Sequence, residues 1–240
     1  MHPALANHLG HAAKQPKSIR DRLFDFTGIR ISEMDAAGID VQILSHQSPG
    51  SQRLPDEVAI EACKNVNNAL AKVIEENSSR FLGFSMLPTN LPIAAAAELK
   101  RSVEELGLKG AMIHGLSAGR MVDEEFFWPI FSQAEKLNVP IYLHPALPDK
   151  AVTARYYSPY DESHPMLIRA AWGFGVEAGT QAIRMILSWT RGNQKGRASP
   201  KCPKIILRFG CLSKIPESII RIAWVPASTP NPHAALINIG

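Results

Sequence analysis

The sequence predicts an α/β fold built on a parallel sheet, and three observations carry that prediction. Segments of helical periodicity alternate with short apolar runs along most of the chain, in the order α-β-α-β-α-β-α-β-α-β. The apolar runs are continuous rather than alternating with polar residues, as expected of strands buried on both faces. Three of them lead into a histidine, His46, His114 and His144. Parallel α/β folds keep their chemistry at the C-terminal ends of their strands. The 240 residues suffice for one large domain or two small ones.

Each element has a local reason. Residues 1–18 are polar and without period. Leu23, Phe26, Ile29, Ile31 and Met34 stand near helical spacing, which predicts a helix over residues 19–38 closed by Gly38. Residues 41–44 are the first strand. Residues 55–77 are a helix, because Val58, Ala59, Ala62, Val66, Ala69, Leu70 and Val73 follow the helical period. Residues 81–87 are a strand stopped by Pro88. A helix over 92–106 starts with proline in its first turn, where a missing N–H costs least, and Gly107 ends it. Residues 110–113 form a strand. Asp123 is the expected cap of a helix over 124–137, with Glu124 and Glu125 at its positive end. Residues 141–143 are the next strand. A long loop over 145–165 carries Tyr156, Tyr157 and Tyr160, and loops of that length are usually functional. A helix over 166–188 and a strand over 204–207 complete the pattern. Five strands are visible where a closed barrel of this type needs eight, so barrel and open sheet both remain open on pattern alone. No GxGxxG follows the first strand, which speaks against a dinucleotide fold, and no P-loop is present.

Composition narrows the function classes. No apolar run reaches the roughly 18 residues of a bilayer span, and residues 1–18 contain no apolar core of a secretory signal. No membrane role is therefore expected. Cys63, Cys202 and Cys211 are scattered, which suits a reducing compartment and leads us to expect a cytoplasmic protein. The chain carries 26 Lys/Arg and 22 Asp/Glu; residues 190–240 hold eight of the former and one of the latter, leaving 18 and 21 in residues 1–189. The body is thus mildly acidic and the tail basic. The tail's charges are dispersed, with no interleaved aromatic residues in the densest part, so no nucleic-acid partner is expected.

His144 is the strongest functional signal. It ends an apolar run and is followed by Pro145, which terminates the strand. A neutral imidazole in that place is a common metal ligand or general base. His114, in AMIHG, reads as a residue that contacts the substrate or supports one that does, with a purely structural role as the alternative, and Gly115 permits close backbone approach. His46 opens a turn-rich loop, where a solvated polar residue is the competing reading. Arg120 and Arg155 follow strands and are candidates for holding a carboxylate, although a surface role suits each taken singly. Trp172 is a candidate pocket wall, with core packing as the alternative. No serine nucleophile elbow, HExxH or CxxC occurs.

The run KGAMIHG…GRMVDEEFFWPIFSQAEKLNVPIYLHPALP, followed by AAWGFGVEAGTQAIRMILS, resembles the decarboxylase branch of the amidohydrolase superfamily, and GIDVQILSHQSPG resembles its second-strand segment. The resemblance covers residues 19–188. It implies a distorted (β/α)8 barrel of the metal-dependent hydrolase type with one divalent metal, Zn²⁺ or Mn²⁺, at its C-terminal face. It also implies a small-molecule substrate, an aromatic or muconate-like carboxylic acid that loses CO2 without an organic cofactor. His144 matches the family's fifth-strand metal ligand, and His46, His114 and Trp172 fall in segments beside the substrate pocket.

The departures are equally specific. The family's opening strand carries Glu-x-His or His-x-His, whereas this chain opens on HPALANHLG, similar to the segment just downstream. Where the family has Gly-His-x-Gly-Glu, residues 208–211 read Arg-Phe-Gly-Cys. The expectation is therefore an incomplete barrel, truncated at both ends, with the first strand and last strands missing. Residues 1–189 would be the partial barrel domain, and residues 190–240 a divergent, basic, proline-rich segment holding one further strand. The expected activity is metal-dependent, non-oxidative decarboxylation. A hydrolase or hydratase of the same superfamily and a catalytically inactive remnant are the alternatives, and a homo-oligomer is compatible with each.

Overall fold

Every apolar run expected to be a strand is one, and all five pair in parallel. The structure, a computed structural model, describes residues 16–46, 50–52, 54–194, 205–207, 221–223 and 236–238. The strands are β1 (Gln42–Leu44), β2 (Phe81–Gly83), β3 (Ser85–Met86), β4 (Ala111–His114), β5 (Ile141–His144) and β6 (Ile205–Leu207). β2 pairs with β1, and β3 pairs with β4, which pairs with β5, which pairs with β6. β2 and β3 are one extended run that passes from one neighbour to the next. The N–H of Phe84 donates to Leu44 O at 2.9 Å, and that of Ser85 donates to Gly110 O at 2.9 Å. The strands lie side by side in chain order, as in the wall of a barrel. An open doubly wound sheet reverses its order at a switch point.

β1 stops short of Met86, and a side chain replaces the missing neighbour. Met86 N–H donates to Asn67 Oδ1 at 2.8 Å, and Asn67 Nδ2 donates back to Met86 O at 2.9 Å. Asn67 Nδ2 also reaches Glu98 Oε1 at 2.7 Å, and Arg101 holds that carboxylate through two bonds of 2.8 Å. All the polar atoms of this buried cluster therefore have partners, which burial demands.

The helices depart from expectation in instructive ways. The single helix expected over 19–38 is two, α1 (Lys17–Phe24) and α2 (Ile29–Ala36). The carboxylate of Asp25 accepts the N–H groups of Thr27, Gly28 and Ile29 at 2.8–2.9 Å, and this capping turn interrupts the apolar period. α2 ends as expected: Gly38 adopts φ +66°, and Ile39 N–H donates to Met34 O at 2.9 Å. α3 (Asp56–Glu76) and α4 (Pro92–Glu104) match their periods, with Pro92 in the first turn. The helix expected over 124–137 begins later, as a 3-10 turn over Glu125–Phe127 followed by α5 (Trp128–Leu137). Asp123 does not cap it. Its carboxylate instead takes Arg184 Nε at 2.8 Å and Ser188 Oγ at 2.7 Å, while Glu124, which precedes the turn, accepts Met121 N–H at 3.0 Å.

Within the loop over 145–165, helical turns span Lys150–Val152, Thr153–Tyr157 and Ser158–Tyr160. A π-turn over Leu167–Ala171 leads to a break at Trp172, φ −151°, and α6 (Gly173–Gln194) follows. The helix expected over 166–188 is thus broken near its start. A Cβ at position 173 would strike the backbone of Ile168, so the break needs a glycine there. α6 also runs past position 189, the expected edge of the barrel domain.

The described residues of 190–240 include three strands, where one was expected. Besides β6, the short antiparallel pair β7 (Arg221–Ala223) and β8 (Leu236–Asn238) forms from triplets that each include a polar residue and are too brief to stand out from their proline-rich surroundings. The Arg208–Cys211 departure, the opening segment HPALANHLG, and Cys202 and Cys211 lie outside the described residues.

Strand parity sorts the core into two layers. Ile43, Phe84, Met112 and Tyr142 face the barrel interior with Leu82 against them. Ala111, Ile113, Ile141 and Leu143 face outward and meet Leu99, Phe127, Ile130, Phe131 and Met185 of the helical layer. Among the described residues no helix is long and apolar enough to cross a membrane.

Candidate functional site

Parity also places the histidines. Met112 and Tyr142 point inward, so His114 and His144, two residues further along the same strands, point inward at the C-terminal mouth. They are register partners across β4 and β5. Their ring centroids lie 4.9 Å apart at 55°, and Tyr142 lies 6.2 Å below His144. His114 is buried and His144 half-buried. The His144 Nδ1 lies 2.7 Å from Pro145 O. A carbonyl oxygen only accepts, so Nδ1 carries the proton and the lone pair resides on Nε2. That tautomer, fixed by a backbone carbonyl, is one of the two that metal-binding histidines use.

A loop closes over this pair. Gly50 adopts φ +63°, and a Cβ there would come within 2.9 Å of His114 Cδ2. The neighbouring Gln52 Nε2 donates to His114 O at 3.1 Å. Ser51 Oγ donates to Leu87 O, and Asn90 Nδ2 donates to Gln52 O at 3.3 Å. Ser117 Oγ donates to Asn90 Oδ1 at 2.9 Å and meets Thr89 Oγ1 at 2.5 Å. The loops after β1, β3 and β4 are thus tied together around His114. Sequence reasoning missed Gln52, Thr89, Asn90 and Ser117. Their only signal was a polar residue soon after each strand, at the end where parallel folds place function.

The other candidates are placed as follows. His46 stands two residues past the end of β1, half-buried. Gly115, at φ +58°, does allow a close approach, but to Ala146 of the β5 loop rather than to a ligand. Arg120 pairs with Glu124 at 3.0 Å and covers the Phe126 ring at 4.8 Å, a surface arrangement. Arg155 is exposed. Trp172 is 62% exposed, at the entrance to α6 and so at the same end of the barrel as the histidines. Behind the loops after β4 and β5, the buried Glu177 accepts from Gln181 Nε2 at 2.8 Å. Burial, and secondarily the charge of Asp149, push the Glu177 carboxyl above its ordinary range.

His144 sits at the end of β5 with its Nδ1 proton held by Pro145 O, an arrangement compatible with metal ligation through Nε2. The described residues do not complete a centre, because no group of three or more His, Cys, Asp or Glu side chains among them is arranged to hold an ion. A catalytic metal usually has about three protein ligands.

Comparison with known proteins supplies the rest of the context. The family model described as amidohydrolase matches residues 2–188. A γ-resorcylate decarboxylase of Rhizobium radiobacter is 36% identical over 179 residues, which are 72% of this chain and 53% of that protein. A 5-carboxyvanillate decarboxylase structure from Novosphingobium aromaticivorans, with manganese and 4-hydroxy-3-methoxy-5-nitrobenzoic acid bound, superposes with a TM-score of 0.71. It is 32% identical and covers 85% of this chain and 56% of that one. A dihydroxybenzoic acid decarboxylase structure from a Polaromonas species, with manganese and 2-nitroresorcinol, gives a TM-score of 0.71 at 31% identity over 86% of this chain and 61% of that one. The chain spans about half the length of the curated relatives it matches.

Proposed function

The chain belongs to the amidohydrolase family, and we propose that it carries out the non-oxidative decarboxylation of an aromatic acid of the hydroxybenzoate kind, or of a muconate-like carboxylic acid, with one divalent metal ion. The observation that carries this reading is the inward-facing pair His114 and His144, in register at the C-terminal mouth of a barrel wall. That is where folds of this kind assemble their chemistry. In the reaction the bond from ring carbon to carboxylate breaks, CO2 leaves, and a proton takes its place on the carbon. No organic cofactor is required.

In this reading His144 is a metal ligand through Nε2, and its bond to Pro145 O sets the ring's tautomer. His114, gripped by the Gly50–Gln52 turn, contacts the substrate, while His46 and Trp172 lie at the rim. Manganese in two related structures favours Mn²⁺ over Zn²⁺. Scattered cysteines, including the buried Cys63 thiol, support a reducing compartment such as the cytoplasm.

The test is CO2 release by the full chain supplied with Mn²⁺ or Zn²⁺, over a panel of 2-hydroxy- and 2,6-dihydroxybenzoates and vanillate-type acids. Stoichiometric CO2 and decarboxylated phenol support the proposal. Water addition or ester and amide hydrolysis without CO2 would move the chain to a hydratase or hydrolase role. Absence of turnover with every acid and both metals would make it an inactive relative.

A further inference from the structure

We propose that Asn90 is a positioning residue for the substrate: acting through the Gly50–Gln52 turn, it sets where the His114 ring stands and so governs substrate affinity apart from metal binding. The proposal rests on the reading above, in which His114 contacts the substrate and His144 the metal. Asn90 is half-buried in the loop after β3. One end of its carboxamide bonds to the loop after β1 and the other to the loop after β4.

The carboxamide gives direction to a chain of hydrogen bonds. Asn90 Nδ2 donates to Gln52 O at 3.3 Å, and Oδ1 accepts from Ser117 Oγ at 2.9 Å. Turned over, the carboxamide would set Oδ1 against Gln52 O, two acceptors with no proton between them. A hydroxyl has a single proton to donate, and that of Ser117 goes to Asn90. In the 2.5 Å contact between Thr89 Oγ1 and Ser117 Oγ, threonine is then the donor. Ser117 is fully buried and Thr89 almost so, which strengthens these bonds and makes their loss more damaging. The chain runs one way, from Thr89 through Ser117 and Asn90 to Gln52, whose Nε2 in turn holds His114 O at 3.1 Å.

The turn at the end of this chain bears on the ring itself. A Cβ at position 50 would lie 2.9 Å from His114 Cδ2 and 3.5 Å from Nε2, so the Gly50 backbone rests against that edge of the imidazole. Ser51 Oγ fastens the same turn to Leu87 O. The two histidines are thus held by different parts. His114 takes its place from the loops after β1, β3 and β4, whereas His144 is tethered by Pro145 O in the loop after β5. Loosening the turn displaces the substrate contact and leaves the metal ligand where it is. A shift of about 1 Å in a positioned group can change a rate on the order of 100-fold.

The experiment compares the full chain with Asn90→Asp, which matches asparagine in size and keeps an acceptor for Ser117 but sets a second oxygen against Gln52 O. Both are loaded with Zn²⁺, and three quantities are read: retained metal, affinity for 2,6-dihydroxybenzoate by calorimetry, and the ring resonances of His114 and His144 by NMR. Asn90→Asp should weaken 2,6-dihydroxybenzoate by about 10-fold or more, shift the His114 resonances, and leave the His144 resonances and the metal content unchanged. Ser117→Ala removes the preceding link without adding a charge. It should move the same readouts in the same direction, and it decides the matter if Asn90→Asp does not fold. Gln52→Ala combined with Asn90→Asp should weaken binding by less than the product of the two single effects, because both break one chain. Unshifted His114 resonances, an affinity within about 2-fold of the parent, metal lost in step with affinity, or independent effects in the double variant would overturn the proposal. The resonances need neither turnover nor a bound acid. If the parent does not bind 2,6-dihydroxybenzoate, they alone decide whether Asn90 positions His114, and CO2 release judges the decarboxylase reading separately.

Discussion

Replacing Asn67 by leucine should destabilise the protein by about 4 kcal/mol. The side chain is fully buried, and leucine repeats its branching with the same number of heavy atoms. What it removes is the carboxamide that serves Met86 N–H and Met86 O at 2.8 and 2.9 Å. Two buried backbone groups then lose their partners, at roughly 1–3 kcal/mol each. Glu98 keeps Arg101, so its loss is smaller. About 4 kcal/mol is a large part of the 5–15 kcal/mol that holds a typical domain together. It corresponds to a fall in melting temperature on the order of 8–16 °C for a chain of this size. Urea denaturation followed by circular dichroism reads the loss directly, and hydrogen exchange at Met86 should accelerate more than at Ile113. Asn67→Asp should fail differently. It keeps an acceptor for Met86 N–H but sets a carboxylate against Glu98, so its deficit should shrink on acidification toward about pH 4. A loss below 1 kcal/mol for Asn67→Leu would refute the claim that this side chain stands in for a neighbouring strand.

Three further outcomes follow from single positions. Gly50→Ala should cost more than Gly38→Ala, because both have positive φ, at +63° and +66°, yet only the Cβ at 50 meets His114 and Gln52. The backbone alone accounts for about 1–2 kcal/mol in each, and a shifted His114 resonance should mark Gly50→Ala only. Glu177→Gln should raise stability at pH 7: a carboxyl whose folded value is raised stabilises below its ordinary 4.5 and loses that contribution as pH rises through the folded value. The gain should vanish in melts at pH 4. Burial pushes the Cys63 thiol up to about 12, so it should resist alkylation at pH 8 until the protein unfolds, in a background lacking Cys202 and Cys211.

Much of the fold was legible because strands and helices write different periods into the chain. Ile141, Leu143, Tyr142 and His144 form a continuous apolar run ending in a polar residue, and the structure sorts that run by parity into helix-facing and interior-facing pairs. What stayed hidden was local side-chain chemistry that overrides the period. Asp25 breaks a helix by capping its own downstream amides, and Asp123 spends its carboxylate on Arg184 rather than on a helix start. The site was half legible. Each histidine announced itself, but the register that sets His114 beside His144 is a property of strand pairing. The network of Gln52, Asn90 and Ser117 joins residues from three loops, and no local spacing encodes it.

Metal content tests the account most directly. The purified full chain, incubated with Mn²⁺ and freed of excess, should retain close to one equivalent by elemental analysis, and His144→Ala should retain well under a tenth of that while melting as the parent does. Equal metal in both proteins, or none in either, would contradict His144 as the ligand around which the proposed decarboxylation site is built.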